Sequence, residues 1–190
     1  HIKRPVTIVL NPGRTFGAIE FSSVLRQWGC AAHPIIAETQ SIIYTCRKTS
    51  PTSVFVFTLK NDVLLSTITS TNNKKVIANL PSCIGRYFVP AQSMIQTSIG
   101  NVGMILHCAP ALLNAGWIEN ERNSFKYYHD GITPSIASFL EQLDNERIEV
   151  SRRLGWEVES VTEWIKRSYG AEGDTLYSCI QDVDAYNIIE

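Results

Sequence analysis

The feature that most constrains this chain is its first apolar run, Pro5 to Asn11 (Pro-Val-Thr-Ile-Val-Leu-Asn), which stops at Asn11-Pro12-Gly13. A near-continuous apolar run closed by turn residues reads as a strand buried on both faces, the signature of a parallel sheet. Gly17 to Trp28 follows with Ile19, Val24, Leu25 and Trp28 at helical spacing, and Gly29 stands where a helix C-cap is expected. His33 to Ala37 returns as a strand. The opening is therefore β-α-β, the unit of doubly wound sheets, in which ligands sit beyond the C-terminal ends of the strands.

Ile42 to Cys46, Ser53 to Lys60 and Val63 to Thr69 are rich in Thr and Val and are separated by Ser-Pro-Thr and Asn-Asp turns, so they read as an antiparallel extension of that sheet. Asn73 to Leu80 reads as a helix and Arg86 to Val89 as a last strand. Beyond a boundary at Val89 to Met94 the strands disappear. A helix is expected from Asn101 toward Trp117, bent at Pro110. A longer one begins with Thr133 as N-cap and Pro134 at its first position, buries Ile136, Phe139, Leu140, Leu143, Ile148 or Val150 and Leu154, and stops at Gly155. Ser160-Val-Thr-Glu163 has the capping-box pattern and opens a helix ending at Tyr169-Gly170, and Asp174 is expected to cap a final helix. The fold class is α/β followed by all-α, with domains at 1–92 and 93–190.

Composition limits the function. The 190 residues carry 17 basic and 18 acidic side chains for a net charge of −1. Neither nucleic acid nor an anionic membrane finds a basic surplus to bind. No apolar run approaches the roughly 20 residues that span a bilayer, and no signal-peptide core follows the N-terminus. The five cysteines are an odd number without any Cys-x-x-Cys spacing. They suit reduced thiols in a cytoplasmic setting and offer no metal site.

Several residues could carry chemistry. His107 lies among apolar neighbours, with Gly100, Gly103, Ala111 and Asn114 on its face of a continuous helix and Pro110 close behind. Either it is an acid/base histidine in a small cavity, or it is a buried ring bonded to a backbone carbonyl. An acid/base role requires a partner that fixes the tautomer, and none is evident nearby in sequence. Asn11 to Gly17 joins strand to helix; its amides either face a ligand or simply meet the geometry of the turn. Tyr127-Tyr128-His129-Asp130-Gly131 is a turn that either packs or presents a side chain to a cleft. Glu38-Thr39 and Cys46-Arg47 flank a strand end. No Gly-x-Gly-x-x-Gly, Walker loop or Gly-x-Ser-x-Gly elbow occurs.

Taken in order, Asn11-Pro-Gly-Arg-Thr-Phe-Gly-Ala-Ile-Glu20, Glu38-Thr39 with Thr45-Cys46-Arg47, Asn101-Val-Gly-Met-Ile-Leu-His107, Leu112-Leu-Asn-Ala115, Tyr127-Tyr128 with Gly131-Ile-Thr-Pro-Ser135, and Trp164 with Tyr169-Gly170 resemble the octopine/nopaline (opine) dehydrogenase family over nearly the whole chain. The resemblance implies the second half of a Rossmann-like sheet domain followed by an incomplete all-helical dehydrogenase domain. It also implies NAD or NADP as cofactor and the reduction of an imine formed from an amino acid and an α-keto acid such as pyruvate.

By the same resemblance His107 matches the catalytic histidine, and Asn101, Asn114 and Tyr128 fall on the substrate side. Asn11, Gly13, Glu38 and Thr39 fall near the nicotinamide. The family commonly has proline after its histidine, where Cys108 stands here. The glycine fingerprint and the aspartate that orients the histidine lie outside the segments matched, so the piece alone is expected to be inactive. A half-sheet also predicts a cover for its open edge, either a second copy in a homodimer or the missing segments of the same protein. Two other readings share the pattern: a ketopantoate-reductase-like or 2-hydroxyacid dehydrogenase, and a non-catalytic helical binding or oligomerisation module.

Overall fold

The computed structural model describes residues 2–120 and 124–189. These fall into two compact units. One comprises residues 1–44, 59–101 and 154–158, the other residues 45–58, 102–153 and 159–190.

The first unit is built on a four-stranded mixed sheet. Strand β1 (Thr7–Leu10) leads into helix α1 (Gly17–Gln27) and then strand β2 (Ile35–Thr39). β1 and β2 are parallel, with Thr7 opposite Ile35 and Leu10 opposite Glu38, as the β-α-β reading requires. Strands β3 (Tyr44–Ser50) and β4 (Ser53–Leu59) come next in the chain, followed by β5 (Val63–Thr67). β5 lies antiparallel on β2, pairing Ala37 with Thr67 and Thr39 with Leu65. Helix α2 (Asn73–Asn79) and the single turn α3 (Ser82–Gly85) then return the chain to β6 (Phe88–Pro90), parallel to β5. The order is β1-β2-β5-β6.

One expectation is corrected here. β3 and β4 do not extend this sheet; they form a two-stranded sheet of their own. Thr and Val content marks a strand, but its partner is chosen by packing that no local pattern encodes. In the hairpin Val54, Phe55 and Val56 are exposed, and Phe55 meets Phe57 edge to face at 4.7 Å.

Two clusters fill the first unit. Ala37, Ile43, Val63, Leu65, Val76, Tyr87 and Phe88 form one. Ala18, Ile36 and Met94 form the other, with Leu10, Phe21 and Leu25 against them. The packing stripe of α1 is therefore Ala18, Phe21 and Leu25. Ile19, Val24 and Trp28, the other apolar positions of that helix, are exposed. Gly29 takes φ +66° after the helix, the left-handed conformation that favours glycine at a C-cap. Helix α4 (Met94–Ser98) closes the unit, and Ser93 Oγ accepts from Ile95 N at its start.

The second unit is helical apart from the hairpin. α5 (Gly103–Leu106), α6 (Cys108–Leu113) and α7 (Ala115–Ile118) are short; α8 (Pro134–Arg153) runs for 20 residues. Thr133 Oγ1 accepts from Ile136 N, the cap read from sequence. α9 (Val161–Tyr169) carries both halves of the Ser160/Glu163 capping box and ends at Gly170 with φ +75°. α10 (Leu176–Gln181) is capped by Thr175 with Ser178, not by Asp174. A hydroxyl one residue later makes the reciprocal pair that the aspartate would have left half-made.

The core of this unit gathers Leu106, Tyr128, Ile132, Leu140, Trp164, Ile165 and Leu176 among others. The buried face of α8 also differs from expectation. It runs Ala137, Leu140, Asp144, Arg147, Ser151, and Phe139, Val150 and Leu154 are exposed. The spacing is helical throughout, but the lower half of the stripe is polar because Asp144 and Arg147 pair there at 2.7 Å. No helix among the described residues is long and apolar enough to cross a membrane.

Candidate active site

His107 sits at the junction of α5 and α6 with φ −112° and ψ −47°. The expected helix from Asn101 to Trp117 is thus three short helices, and the main break falls at the histidine rather than at Pro110. Proline is tolerated in the first turn of a helix, where its missing amide would have had no intrahelical partner. Pro110 is the third residue of α6, so the preceding helix ends before it and His107 becomes the joint. The i→i−4 bonds from His107 N to Gly103 O and from Ala111 N to His107 O still bridge the joint, so Gly103, His107 and Ala111 follow one another at helical spacing although the helix is interrupted. His107 is exposed.

Two consecutive tyrosines grip this joint. The Tyr128 hydroxyl lies 3.1 Å from Nδ1 of His107, and the Tyr127 hydroxyl donates to the His107 carbonyl at 2.6 Å. The same carbonyl accepts from Ala111 N. Tyr128 is buried, with its ring stacked on Tyr186 at 4.3 Å and meeting Tyr127 edge to face at 4.9 Å. Tyr169 continues the cluster, 5.3 Å from Tyr186 and 5.8 Å from Trp164, and its hydroxyl pairs with Thr45 Oγ1 at 3.0 Å.

Burial pushes the Tyr128 and Tyr186 hydroxyls far above the ordinary phenol range, neighbouring phenols add to the shift, and the Arg47 guanidinium pulls weakly the other way. Tyr127 moves up as well, chiefly through burial. Both hydroxyls that touch His107 are therefore neutral at working pH. The turn Tyr127 to Gly131 packs, with both of its tyrosine hydroxyls on His107.

Asn114 is buried, and its amide nitrogen donates to Pro110 O at 2.9 Å and Gly131 O at 2.8 Å. It ties the end of α6 to the turn that carries the tyrosines. A Cβ at Gly131 would stand 2.3 Å from the Tyr127 carbonyl, so that turn needs glycine. Asn101 is buried and is the last residue of the 59–101 segment of the first unit.

The other sequence-named residues gather at the C-terminal ends of β1 and β2. Glu38 is fully buried, and its carboxylate accepts from Ala18 N at 3.0 Å, from Thr97 Oγ1 at 2.9 Å and from Ser98 Oγ. α1 has no capping side chain at Phe16, and Glu38 fills that office from the neighbouring strand. Gly13 donates to Thr39 O at 3.1 Å, and a Cβ on it would lie 2.2 Å from the Glu38 Cβ. Glycine is required by close approach. Thr39 Oγ1 lies 2.9 Å from Asn11 Oδ1 and fixes the exposed Asn11 side chain from below.

The structure thus brings Asn11, Gly13, Glu38 and Thr39 together in the first unit, and His107, Asn114 and Tyr128 together in the second. Sequence reading named Tyr128 but missed its bond to His107; it named Tyr169 only as a helix end and a matching residue, not as part of this cluster, and it missed Tyr186. The pair lies 21 residues apart. No periodicity links such positions, and only the count of tyrosines in the helical half hints at a cluster. Among the described residues no three side chains are arranged to hold a metal ion.

Residues 90–190 match the model of the NAD/NADP octopine/nopaline dehydrogenase alpha-helical domain. A curated protein named opine dehydrogenase, from Arthrobacter sp. (strain 1C), is 37% identical over 186 residues, which is 98% of this chain and 51% of that protein. The chain spans about half the length of this relative. Among solved structures, octopine dehydrogenase with NADH and L-arginine superposes with a TM-score of 0.64 at 17% identity, over 96% of this chain and 49% of that one. Yersinopine dehydrogenase with NADP+ bound gives 0.67 at 15% identity, over 90% of this chain and 41% of that one. These likenesses show the fold, a mixed sheet followed by a helical region. The family match covers more than half the chain and contains His107, Asn114 and the tyrosine turn, and the chain belongs to the octopine/nopaline dehydrogenase family.

Proposed function

We propose that the chain is part of an NAD(P)H-dependent opine dehydrogenase, which reduces the imine formed between an amino acid and a pyruvate-like α-keto acid. Residues 1–92 contribute to the nucleotide side and 93–190 to the substrate side. The observation that carries the reading is an exposed imidazole, within the family-matched segment, whose ring and backbone are both held by hydroxyl groups. The protein works in the cytoplasm, where its free thiols remain reduced.

The residues present fit one end of a nicotinamide dinucleotide. Asn11 keeps its side-chain NH2 for an outside acceptor, because Thr39 holds its oxygen, and that suits an uncharged carboxamide. The pyrophosphate does not fit at α1. Its N-terminal amide at Ala18 already faces a carboxylate, and a second anion there would be repelled. Gly13, Glu38 and Thr39 thus act by holding Asn11 and the strand ends in place.

The bound nicotinamide supplies the hydride that converts the imine carbon to an amine carbon. His107 hydrogen-bonds the keto oxygen of the acid and delivers a proton as that oxygen leaves as water during imine formation. Tyr128 and Tyr127 hold the histidine where it can do so. Asn114 keeps the tyrosine turn against α6, and Asn101, buried in the first unit, is the remaining residue assigned to the substrate side.

The test follows nicotinamide absorbance in the full-length protein with pyruvate or glyoxylate, with and without a panel of amino acids. Oxidation requiring both substrates and lost in His107→Ala supports the reading. Oxidation with the keto acid alone moves the protein to the hydroxyacid class, and none with any pair leaves a binding module.

A further inference from the structure

We propose that Arg47 binds a substrate carboxylate at the tyrosine cluster that holds His107. The proposal rests on the dehydrogenase reading for the identity of the substrate, since an amino acid and an α-keto acid both carry that group. Strands β3 and β4 lie in the chain between β2 and β5, yet they leave that sheet and belong to the second unit, where Phe57 packs on the helical core. Thr45 on β3 is buried, and its Oγ1 pairs with the Tyr169 hydroxyl at 3.0 Å. Alternate residues of a strand share a face, so Arg47 leaves β3 on the side of Thr45 and the tyrosines. From there its charge acts on the Tyr128 and Tyr186 hydroxyls, against the upward push of their burial. Tyr128 is the phenol 3.1 Å from His107 Nδ1, so guanidinium and imidazole flank one cluster.

Arg47 is half-buried, and its one hydrogen bond among the described residues runs from Nη1 to the Cys46 carbonyl at 2.8 Å. The other described arginines of this unit all have carboxylates. Arg147 lies 2.7 Å from Asp144, Arg152 and Arg153 lie 2.9 and 3.0 Å from Glu149, and Arg167 lies 2.6 Å from Glu159. A guanidinium carries five N–H donors in a planar fork, so one bond to a carbonyl leaves the rest of the fork for an oxygen anion. The phenols around it are neutral and supply no counter-charge. A partly enclosed cation without an anion costs the fold desolvation that an apolar side chain of similar length would avoid. A carboxylate brought by the substrate offsets that cost. In an α-keto acid this group is bonded to the carbon whose oxygen His107 takes, and in an amino acid it lies two bonds from the attacking nitrogen. Holding either one therefore places the reacting centre.

The test measures binding to the full-length protein by saturation-transfer NMR, with NAD+ or NADP+ present so that nothing turns over. One arm compares pyruvate with pyruvamide, the other a panel of L-amino acids with their primary amides, in which an uncharged amide replaces the carboxylate. Expected in the wild type is a preference for acid over amide of roughly 10- to 100-fold in at least one arm, the size of charge-assisted hydrogen bonds. In Arg47→Met that preference falls to near one because the acid alone binds more weakly, and the arm in which it falls names the substrate. Arg47→Lys, which keeps the charge but not the fork, retains part of it. A wild type without the preference in either arm, an unchanged preference in Arg47→Met, or acid and amide weakened alike overturns the proposal. If Arg47→Met loses its helical circular dichroism, Arg47→Gln gives the same comparison. A selective loss of acid binding while no substrate pair supports nicotinamide oxidation leaves the carboxylate site standing and fails the dehydrogenase reading. Oxidation that requires both substrates, with an unchanged preference in Arg47→Met, fails the Arg47 assignment alone.

Discussion

The carboxylate of Glu38, on β2, caps the N-terminus of α1 by accepting from Ala18 N at 3.0 Å. The same group takes the hydroxyls of Thr97 and Ser98 from α4, so one buried side chain joins a strand to two helices. Hydrogen bonds to a charged acceptor are stronger than neutral ones, and the helix dipole adds to the first of them.

Glu38→Ala should destabilise the first unit by at least about 3 kcal/mol, since three donors lose their acceptor in a site with no exposure. Denaturant unfolding monitored in the full-length protein measures this. Glu38→Gln should cost less, because an amide oxygen still accepts; equal losses for the two variants would show that the charge and not the acceptor count decides.

Gly13→Ala should cost about 1 to 3 kcal/mol or more, since the new methyl lies 2.2 Å from the Glu38 Cβ. Shortening Glu38 to alanine leaves that Cβ in place. The double variant Gly13→Ala, Glu38→Ala should therefore show no rescue, and a double variant more stable than the sum of its parts would locate the clash further out along the Glu38 side chain.

A second carboxylate repeats the arrangement in the helical unit. Asp144 Oδ1 pairs with Arg147, and its Oδ2 accepts from Val161 N at the first residue of α9; Arg147 reaches the Glu159 carbonyl at 2.6 Å. Removing one member of a buried pair leaves the other charge uncompensated. Asp144→Ala should cost about 3 to 5 kcal/mol and loosen α9 from α8, seen as faster amide exchange over Val161 to Trp164. Replacing both residues by leucine should recover much of that loss.

Features written within three or four residues were legible in the sequence. Thr133, the Ser160/Glu163 box and the glycines at 29, 155 and 170 are local devices, and each ends or starts a helix where expected. Features that depend on distant partners were not. β3 and β4 carry the composition of sheet strands yet pair only with one another. α8 has apolar residues on two sides, and the stripe that won contains Asp144 and Arg147 because Val161, at the start of α9, and the Glu159 carbonyl just before that helix supply partners for them. Glu38 and Tyr128 were both visible as residues of interest. What each touches, Ala18 in one case and His107 in the other, follows from tertiary contacts at separations of 20 and 21 residues.

The tyrosine cluster also sets the alkaline limit of the fold. Tyr128 and Tyr186 have folded-state hydroxyls raised above their unfolded value by burial, so the folded chain holds protons that the unfolded chain releases from about pH 10. A raised value means that the stabilisation is complete below the unfolded phenol range and is lost as pH rises through and beyond it. Each such group lowers stability by up to about 1.4 kcal/mol per pH unit in that window. Tyrosinate absorbance from these rings should therefore appear together with loss of helix, not before it. Tyr186→Phe should make the fall with pH shallower, by one proton. Ionisation of Tyr128 and Tyr186 near pH 10 in a chain that keeps its helical circular dichroism would refute the account of a dry phenol beside His107.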